Sequence, residues 1–124
     1  MEINLSPKMA KAQTHVVFVV VPRFNITTLI TIIEAMRIAN YLAPVPVFSW
    51  EIASFDGTKV TASNGMTTTV EAVGEELRPA QFTFVLGSWG TEHYSNTTLT
   101  AWLRRHARAG TRICGVELRC YIVA

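Results

Sequence analysis

Short apolar runs alternate with longer amphipathic stretches along the chain. His15–Val21 is an uninterrupted β-branched and aromatic run, and continuous apolarity is typical of a strand buried on both faces of a parallel sheet. Gln81–Leu86 is predicted as a further buried strand and Thr111–Val116 as the next strand, whereas apolar and polar residues alternate along Val47–Ala53. These four segments predict the strands of one sheet.

Between the strands the apolar period changes to that of helices. The first predicted helix runs from Ile26 to Tyr41 and carries two apolar stripes. The first stripe is predicted to cover the sheet, and the second forms either a subunit contact or a second buried side. The stripes consist of Ile26, Leu29, Ile30 and Ile33, and of Ile32, Met36 and Ala39. A second helix is predicted from an Asn96 cap to a stop at Gly110, and a third begins in 118–124.

Turn signals divide the segment between the second and third strands. Asp56-Gly57 is a hairpin-type turn signal, and Ser63-Asn64-Gly65 is another turn between the β-rich pieces 59–61 and 67–70. These short pieces predict an antiparallel excursion beside the main sheet. The alternation of strands and helices predicts an α/β fold, a parallel sheet with helices on both faces.

Composition supports one globular domain. The chain has 124 residues, of which 49% are hydrophobic, and its mean hydropathy is +0.26; this excludes a disordered chain, which needs low hydrophobicity and high net charge. No apolar run approaches the ~20 residues that span a bilayer. Residues 1–13 are predicted to be a disordered leader, since they lack the apolar centre of a secretory signal. The apolar residues 121–124 carry no helix-stop signal, so we expect the chain to be part of something longer.

Two cysteines, Cys114 and Cys120, cannot form a disulfide scaffold of the secreted type, which favours a cytoplasmic location. Net charge is only +2, but arginines are concentrated near the carboxyl end. Such a cluster could attract phosphate, although the solvated face of a helix is the interpretation that we favour. The cluster consists of Arg104, Arg105, Arg108, Arg112 and Arg119.

The order of these elements and several local strings resemble one family, the class I glutamine amidotransferase-like (PfpI-like) domain at the front of AraC-type transcriptional regulators. The resemblance covers residues 14–124 and implies a flavodoxin-like sheet that is truncated at its C-terminal end. It also implies a homodimer, a small-molecule effector that is an amine or amino acid, and a helix-turn-helix DNA-binding domain outside this chain. The matching strings are 20–24, 33–40, Trp50 with 54–57, 60–66, 84–88 and 99–110.

The resemblance also shows which chemistry is missing. Enzyme relatives place a cysteine nucleophile on a sharp strand-to-helix turn, where a helix amino terminus lowers the thiol pKa and backbone N–H groups stabilise an oxyanion. Counting along the strand 111–116 puts Glu117 at that position, and a carboxylate is a poor nucleophile for acyl chemistry. Arg119 replaces the small residue expected two places later, and Thr28 replaces the acidic residue of the first helix. Catalysis by that route is not expected.

No other reactive side chain is expected to replace the missing cysteine nucleophile. Cys120 falls within the third predicted helix and Cys114 within a strand, where both are expected to pack as small apolar residues. His15, His93 and His106 lack the spacing of metal ligands, and His106 continues an apolar stripe. We therefore predict no metal and no cofactor.

A pocket is nevertheless predicted, because ligands collect outside the carboxyl ends of the strands in open α/β sheets. Three loops should meet there: 22–26, 87–93 and the turn at Glu117. Glu117 would favour a positively charged ligand; the alternative is that it pairs with Arg119 or Arg23 and binds nothing. Glu34, in a mostly apolar helix, is expected to have a structural partner. The predicted ligand-binding residues are Phe24, Gly87, Ser88, Trp89, His93 and Glu117.

These features leave three candidate functions. The first is a non-catalytic ligand-sensing and dimerisation domain of an AraC-type regulator. The second is a PfpI-like hydrolase or glyoxalase-type enzyme with an atypical nucleophile. The third, a flavodoxin-like receiver or cofactor carrier, is disfavoured because Pro22-Arg23-Phe24 follows the first strand in place of an acidic cluster.

Overall fold

The computed structural model describes residues 13–74, 77–91 and 93–117. Its centre is a five-stranded sheet in the order β5-β2-β1-β6-β7, and every neighbouring pair is parallel. The α/β, flavodoxin-like prediction is therefore confirmed. The strands are β1 (Thr14–Val20), β2 (Phe48–Ser54), β5 (Ala72–Val73), β6 (Phe82–Leu86) and β7 (Arg112–Val116).

Two helices cover opposite faces of this sheet. α1 (Ile26–Leu42) buries Leu29 and Met36 against the side chains of Val16, Phe18 and Val20. On the other face, α2 (Thr97–Arg108) packs against the side chains that alternate with them. Its buried residues are Leu99, Trp102 and Leu103, which share a core with Val17, Val19 and Val21. Because β1 is covered on both faces, its apolar run is continuous.

Each helix begins at an asparagine cap. The Asn25 side-chain oxygen accepts hydrogen bonds from the N–H groups of Thr27 and Thr28, and Asn96 accepts one from Leu99. These bonds satisfy backbone donors that have no partner within the helix. α2 ends before Gly110, which has a φ of 102°; glycine adopts this left-handed conformation without steric cost.

The antiparallel excursion is confirmed as a two-stranded sheet of β3 (Lys59–Thr61) and β4 (Thr67–Thr69). The hairpin signal at Asp56-Gly57 was wrong, because β2 and β3 do not pair in the described residues. Instead β2 is parallel to β1, and the turn only redirects the chain towards the small sheet. The turn itself was correctly predicted, because Gly57 adopts a left-handed conformation with a φ of 97°.

The division of α1 into two stripes needs correction. Ile32 and Ile33, one from each predicted stripe, both pack against the core, whereas Ile30 is 50% exposed. The solvent-facing side of α1 is unusually apolar towards its end. Beside Ile30, its exposed apolar residues are Ile38, Tyr41 and Leu42.

His106 lies on α2 and is partly buried beside its neighbours on the helix, as predicted. Its ring stacks on that of Trp102 with the centroids 4.0 Å apart, and burial, together with nearby Arg105, lowers the pKa of His106. Cys114 is only partly buried, contrary to the buried position expected, because β7 is an edge strand among the described residues. Cys120, Arg119, the predicted third helix and residues 1–12 of the predicted leader lie outside the described residues.

Within the described ranges, no helix is long and apolar enough to cross a membrane. The same ranges contain no group of three or more His, Cys, Asp or Glu side chains that could hold a metal ion.

Candidate functional site

Three loops meet at the carboxyl ends of β1, β6 and β7. α1 follows β1 on one face of the sheet and α2 follows β6 on the other, so the two connections leave this point in opposite directions. Such a switch point opens a crevice in parallel sheets. Here the crevice is a cavity of about 280 Å³ lined by Asn25, Ser88, Trp89 and Glu117.

Glu117 occupies the sharp bend directly after β7. Val116 still pairs with Leu86 in the sheet, whereas Glu117 turns the chain with a φ of 58°. The left-handed region costs a residue with a side chain roughly 1–2 kcal/mol. A sharp bend is therefore present directly after β7, as expected, and it carries the Glu117 carboxylate.

Two neutral donors hold the Glu117 carboxylate. Asn25 Nδ2 donates to Glu117 Oε1 at 2.8 Å, and Thr28 Oγ1 donates to the same oxygen at 3.2 Å. In the described part of the chain, Glu117 forms no ion pair with Arg23, and its Oε2 accepts no hydrogen bond. The pairing with Arg23 considered above is therefore not observed, and the negative charge is left without a counter-ion there.

Thr28 stands where the resemblance places an acidic residue. Here the Thr28 hydroxyl on the helix donates to an acid on the bend. A hydrogen bond between α1 and the bend therefore crosses the pocket.

Asn25 is the pocket residue that sequence reasoning missed. Its Oδ1 is engaged by the first turn of α1, and its backbone N–H donates to the carbonyl of Gly87 at 3.2 Å. With Oδ1 committed to capping, the Nδ2 group is directed to Glu117. A helix-cap asparagine in a loop already assigned to the pocket was the available signal.

The loop after β6 supplies the opposite wall. Ser88 is buried, and its carbonyl accepts a hydrogen bond from Thr91 Oγ1 at 2.6 Å, which fixes the turn. Trp89 projects from this turn and is 80% exposed. Gly90, with a φ of 89°, lies so close to Arg23 that a Cβ atom would meet its Nε at 3.0 Å.

Of the six predicted ligand-binding residues, three line the cavity and three do not. Ser88, Trp89 and Glu117 line the cavity. Phe24 is completely buried in the core beneath α1, so it supports the loop and does not face the cavity. Gly87 contributes its carbonyl to Asn25, and His93 is exposed and absent from the lining.

Glu34 has the structural partner that was expected. Arg37 Nη2 lies 2.7 Å from Glu34 Oε2, and Arg37 Nε donates to Oε1 at 2.8 Å. The hydrogen bonds from Arg37 lower the pKa of Glu34, and the Glu34 carboxylate in turn raises the pKa of Arg37. Glu34 thus belongs to a surface ion pair on α1.

The geometry favours binding over catalysis. Among the described residues, a carboxylate with one oxygen outside any hydrogen bond, a fixed amide and an exposed indole surround a small cavity. A negative charge beside an aromatic face attracts cations, whereas the same carboxylate is a poor acyl nucleophile.

Comparison with known proteins gives a consistent picture. No family model matches the chain. The chain is 27% identical over 107 residues to the HTH-type transcriptional regulator CdhR of Pseudomonas aeruginosa. This match covers 86% of the chain and 32% of CdhR. The chain therefore spans about a third of the length of this curated relative.

Solved structures share the fold. An AraC family transcriptional regulator from Pseudomonas putida superposes with a TM-score of 0.81 at 19% identity, over 89% of this chain and 59% of that one. A ThiJ/PfpI family protein from Pseudomonas syringae gives a TM-score of 0.72 at 18% identity, over 99% and 51%. The chain thus has the ThiJ/PfpI fold, and its resemblance to the PfpI-like domain of AraC-type transcriptional regulators is confirmed.

Proposed function

We propose that this chain is the ligand-sensing and dimerisation domain of an AraC-type transcriptional regulator and that its pocket binds a small cationic molecule without transforming it. The observation that carries the proposal is the Glu117 carboxylate on the strained bend, where Asn25 and Thr28 hold one oxygen and the other accepts no hydrogen bond from the described residues. The similarity to HTH-type regulators supports the regulatory role. The ligand class suggested by charge is an amine, including the amino group of an amino acid.

The rest of the proposed regulator lies outside this domain. DNA would be contacted by a helix-turn-helix domain, and the effector pocket would bias that contact from a distance, in the cytoplasm and without a membrane. We propose no cofactor or metal. Enzymes exist among ThiJ/PfpI proteins, but the residue at the bend lacks the sulfur that their chemistry requires.

Binding of a simple cation tests the pocket. We expect tetramethylammonium to change the fluorescence of Trp89, because the indole lines the same cavity as Glu117. Glu117→Gln should weaken the apparent affinity about tenfold or more, which corresponds to about 1.4 kcal/mol, since it removes the charge and keeps the shape. Titrations monitored by tryptophan emission measure both proteins.

Two controls make this result specific. Trp89→Phe should remove the signal, which separates it from Trp50 and Trp102, and neutral neopentyl alcohol should not compete with the cation. Equal affinity of the wild-type protein and Glu117→Gln for tetramethylammonium would contradict the proposal.

Dimerisation is proposed through the exposed side of α1. Ile30, Ile38, Tyr41 and Leu42 are between 48% and 84% exposed, and they surround the exposed Glu34–Arg37 ion pair on the same side of the helix. Large apolar side chains grouped on a surface are typical of subunit contacts. A stable homodimer buries more than ~1,000 Å² in total, so the interface extends beyond these four residues.

Sedimentation velocity should therefore show a dimer whose dissociation constant rises about tenfold or more in Ile30→Glu, because a charge is desolvated in an apolar contact. Ala101→Glu, at an exposed position of α2, is the matched control and should leave the dimer intact. A wild-type monomer at all accessible concentrations would refute this interface.

A further inference from the structure

A second polar cluster lies at the amino-terminal edge of the sheet, opposite the Glu117 pocket. His15 on β1 is paired in register with Ser49 on β2, and Glu51 follows two residues later. Because side chains alternate along a strand, Ser49 and Glu51 emerge on the same face. Parallel pairing therefore brings a hydroxyl, an imidazole and a carboxylate together.

The imidazole of His15 bridges the other two groups. Its Nδ1 lies 2.8 Å from Ser49 Oγ, and its Nε2 lies 3.1 Å from Glu51 Oε1. An ionised carboxylate only accepts hydrogen bonds, so in the neutral imidazole the hydrogen resides on Nε2 and Nδ1 accepts from the Ser49 hydroxyl. The side chains of His15 and Glu51 are only 17% and 20% exposed, which restricts competition from water.

These contacts meet the geometric criteria for an activated nucleophile. A hydroxyl lies within hydrogen-bond reach of a base, and the base is oriented by a third group. Such an arrangement is recognised by geometry and roles and is independent of sequence order. Nothing in the function proposed for the Glu117 pocket uses it.

A cavity adjoins the hydroxyl. It has a volume of about 350 Å³ and is lined by Gln13, His15, Ser49, Arg78, Pro79 and Gln81. Glu51 is absent from this lining, as expected for a group that acts from behind the imidazole. As formed by the described residues, the cavity is therefore open to a small molecule at Ser49 and His15.

Two side chains of this cavity can stabilise an oxyanion. Gln81 Oε1 accepts a hydrogen bond from the backbone N–H of His15 at 2.9 Å, which fixes the amide. In the described ranges its Nε2 and the Arg78 guanidinium have no hydrogen-bond or ion-pair partner. Both can donate to a developing negative charge.

We propose that Ser49 is a nucleophile towards small activated acyl and phosphonyl esters, with His15 as its general base and Glu51 as a positioning residue. The Ser49 Oγ–C bond forms as the proton passes to His15 Nδ1, and the ester C–O bond then breaks as His15 returns that proton to the leaving alkoxide. Water attacks the acyl-serine by the same route and releases the carboxylic acid. This site is separate from the Glu117 pocket, so either proposal can fail alone.

A fluorophosphonate reagent tests the nucleophile directly. Attack by Ser49 Oγ forms an O–P bond and expels fluoride, and the proton is accepted by His15. We expect one stable adduct per chain on the intact folded protein, located at Ser49 by peptide mass spectrometry. Heat-unfolded protein should give none, because the unfolded chain loses the alignment with His15.

Variants then test the roles. Ser49→Ala should abolish labelling, and His15→Gln should slow it about 100-fold or more, the usual contribution of a positioned base. Ser95→Ala, which removes the hydroxyl of an exposed serine outside both cavities, should label at the wild-type rate. Circular dichroism of each variant confirms that the fold is retained.

The positioning role of Glu51 must be separated from a loss of structure by a measurement of the labelling rate. Glu51→Ala should slow labelling of Ser49, because His15 loses the carboxylate that orients its imidazole. Glu51→Asp keeps a carboxylate and should recover part of the rate, which a loss of structure would not do. Arg78, the other charged group lining the cavity, is unchanged in these variants. Absence of an adduct at Ser49 in the folded wild-type protein would overturn the proposal, whatever the variants do.

Discussion

Replacement of Trp102 by alanine should lower the free energy of unfolding by about 3–5 kcal/mol, the range for removal of a buried large aromatic side chain. Trp102 is 1% exposed, stacks on His106 and meets the edge of Phe55 with the ring centroids 5.5 Å apart. Its removal leaves a cavity under α2 that the sheet cannot fill. Urea denaturation followed by circular dichroism measures the change.

Trp89→Ala is the matched control, since it deletes the same side chain at a position that is 80% exposed. It should change stability by no more than about 0.5 kcal/mol. Trp102→Phe should fall between the two, because it keeps an aromatic ring and removes an indole N–H that has no hydrogen-bond partner in the described residues. Comparable losses from Trp89→Ala and Trp102→Ala would mean that the face under α2 is not a packed core.

Asn25→Asp should destabilise the domain by turning a hydrogen bond into a repulsion. The new carboxylate still caps α1, but it replaces an N–H donor that lies 2.8 Å from Glu117 Oε1. Two unit charges 4 Å apart repel by about 1 kcal/mol in water and about 4 kcal/mol near a protein surface. Since Glu117 is exposed, we expect about 1–2 kcal/mol by urea denaturation at neutral pH and low salt.

A double-mutant cycle assigns this loss to the pair. Glu117→Gln in the Asn25→Asp background should restore most of the lost stability, and added salt should also reduce the loss. Asn96→Asp, at the cap of α2, should cost less, because Asp and Asn cap helices equally well and the group that faces its Nδ2 is the uncharged carbonyl of Phe55 at 3.5 Å. A loss that persists in the double variant would place the repulsion elsewhere and refute the contact across the pocket.

Much of the fold was accessible from sequence because the strongest signals were local. β1 and β6 are buried continuous runs, and both helices start at asparagine caps where the pattern changes period. The pairing of β2 with β1, and not with β3, could not be read from Asp56-Gly57. A turn signal specifies that the chain bends, whereas partner choice depends on contacts between distant segments. β5 was missed because two residues carry no period.

The loops that form the pocket could be predicted from the sequence, but the side chains that line it could be predicted only in part. Glu117 followed from counting along β7, because a strand end and a sharp bend fix one position. Phe24 was misplaced since a large apolar residue in a loop can either face a ligand or anchor the loop below it, and burial decides between them. Asn25 escaped notice because its capping role is local, whereas its bond to Glu117 spans 92 positions.

The central position of β1 has a consequence for synthesis of the chain. β1 lies between β2 and β6, and its first contact with the β6 segment joins residues that are 66 positions apart. At typical translation speeds the ribosome needs roughly 3–13 s to make that many residues. Throughout this interval Val16–Val21 is a β-branched and aromatic run without charge or proline, the composition that promotes intermolecular β-pairing. One edge of this segment therefore stays unpaired until its second neighbouring strand emerges from the ribosome.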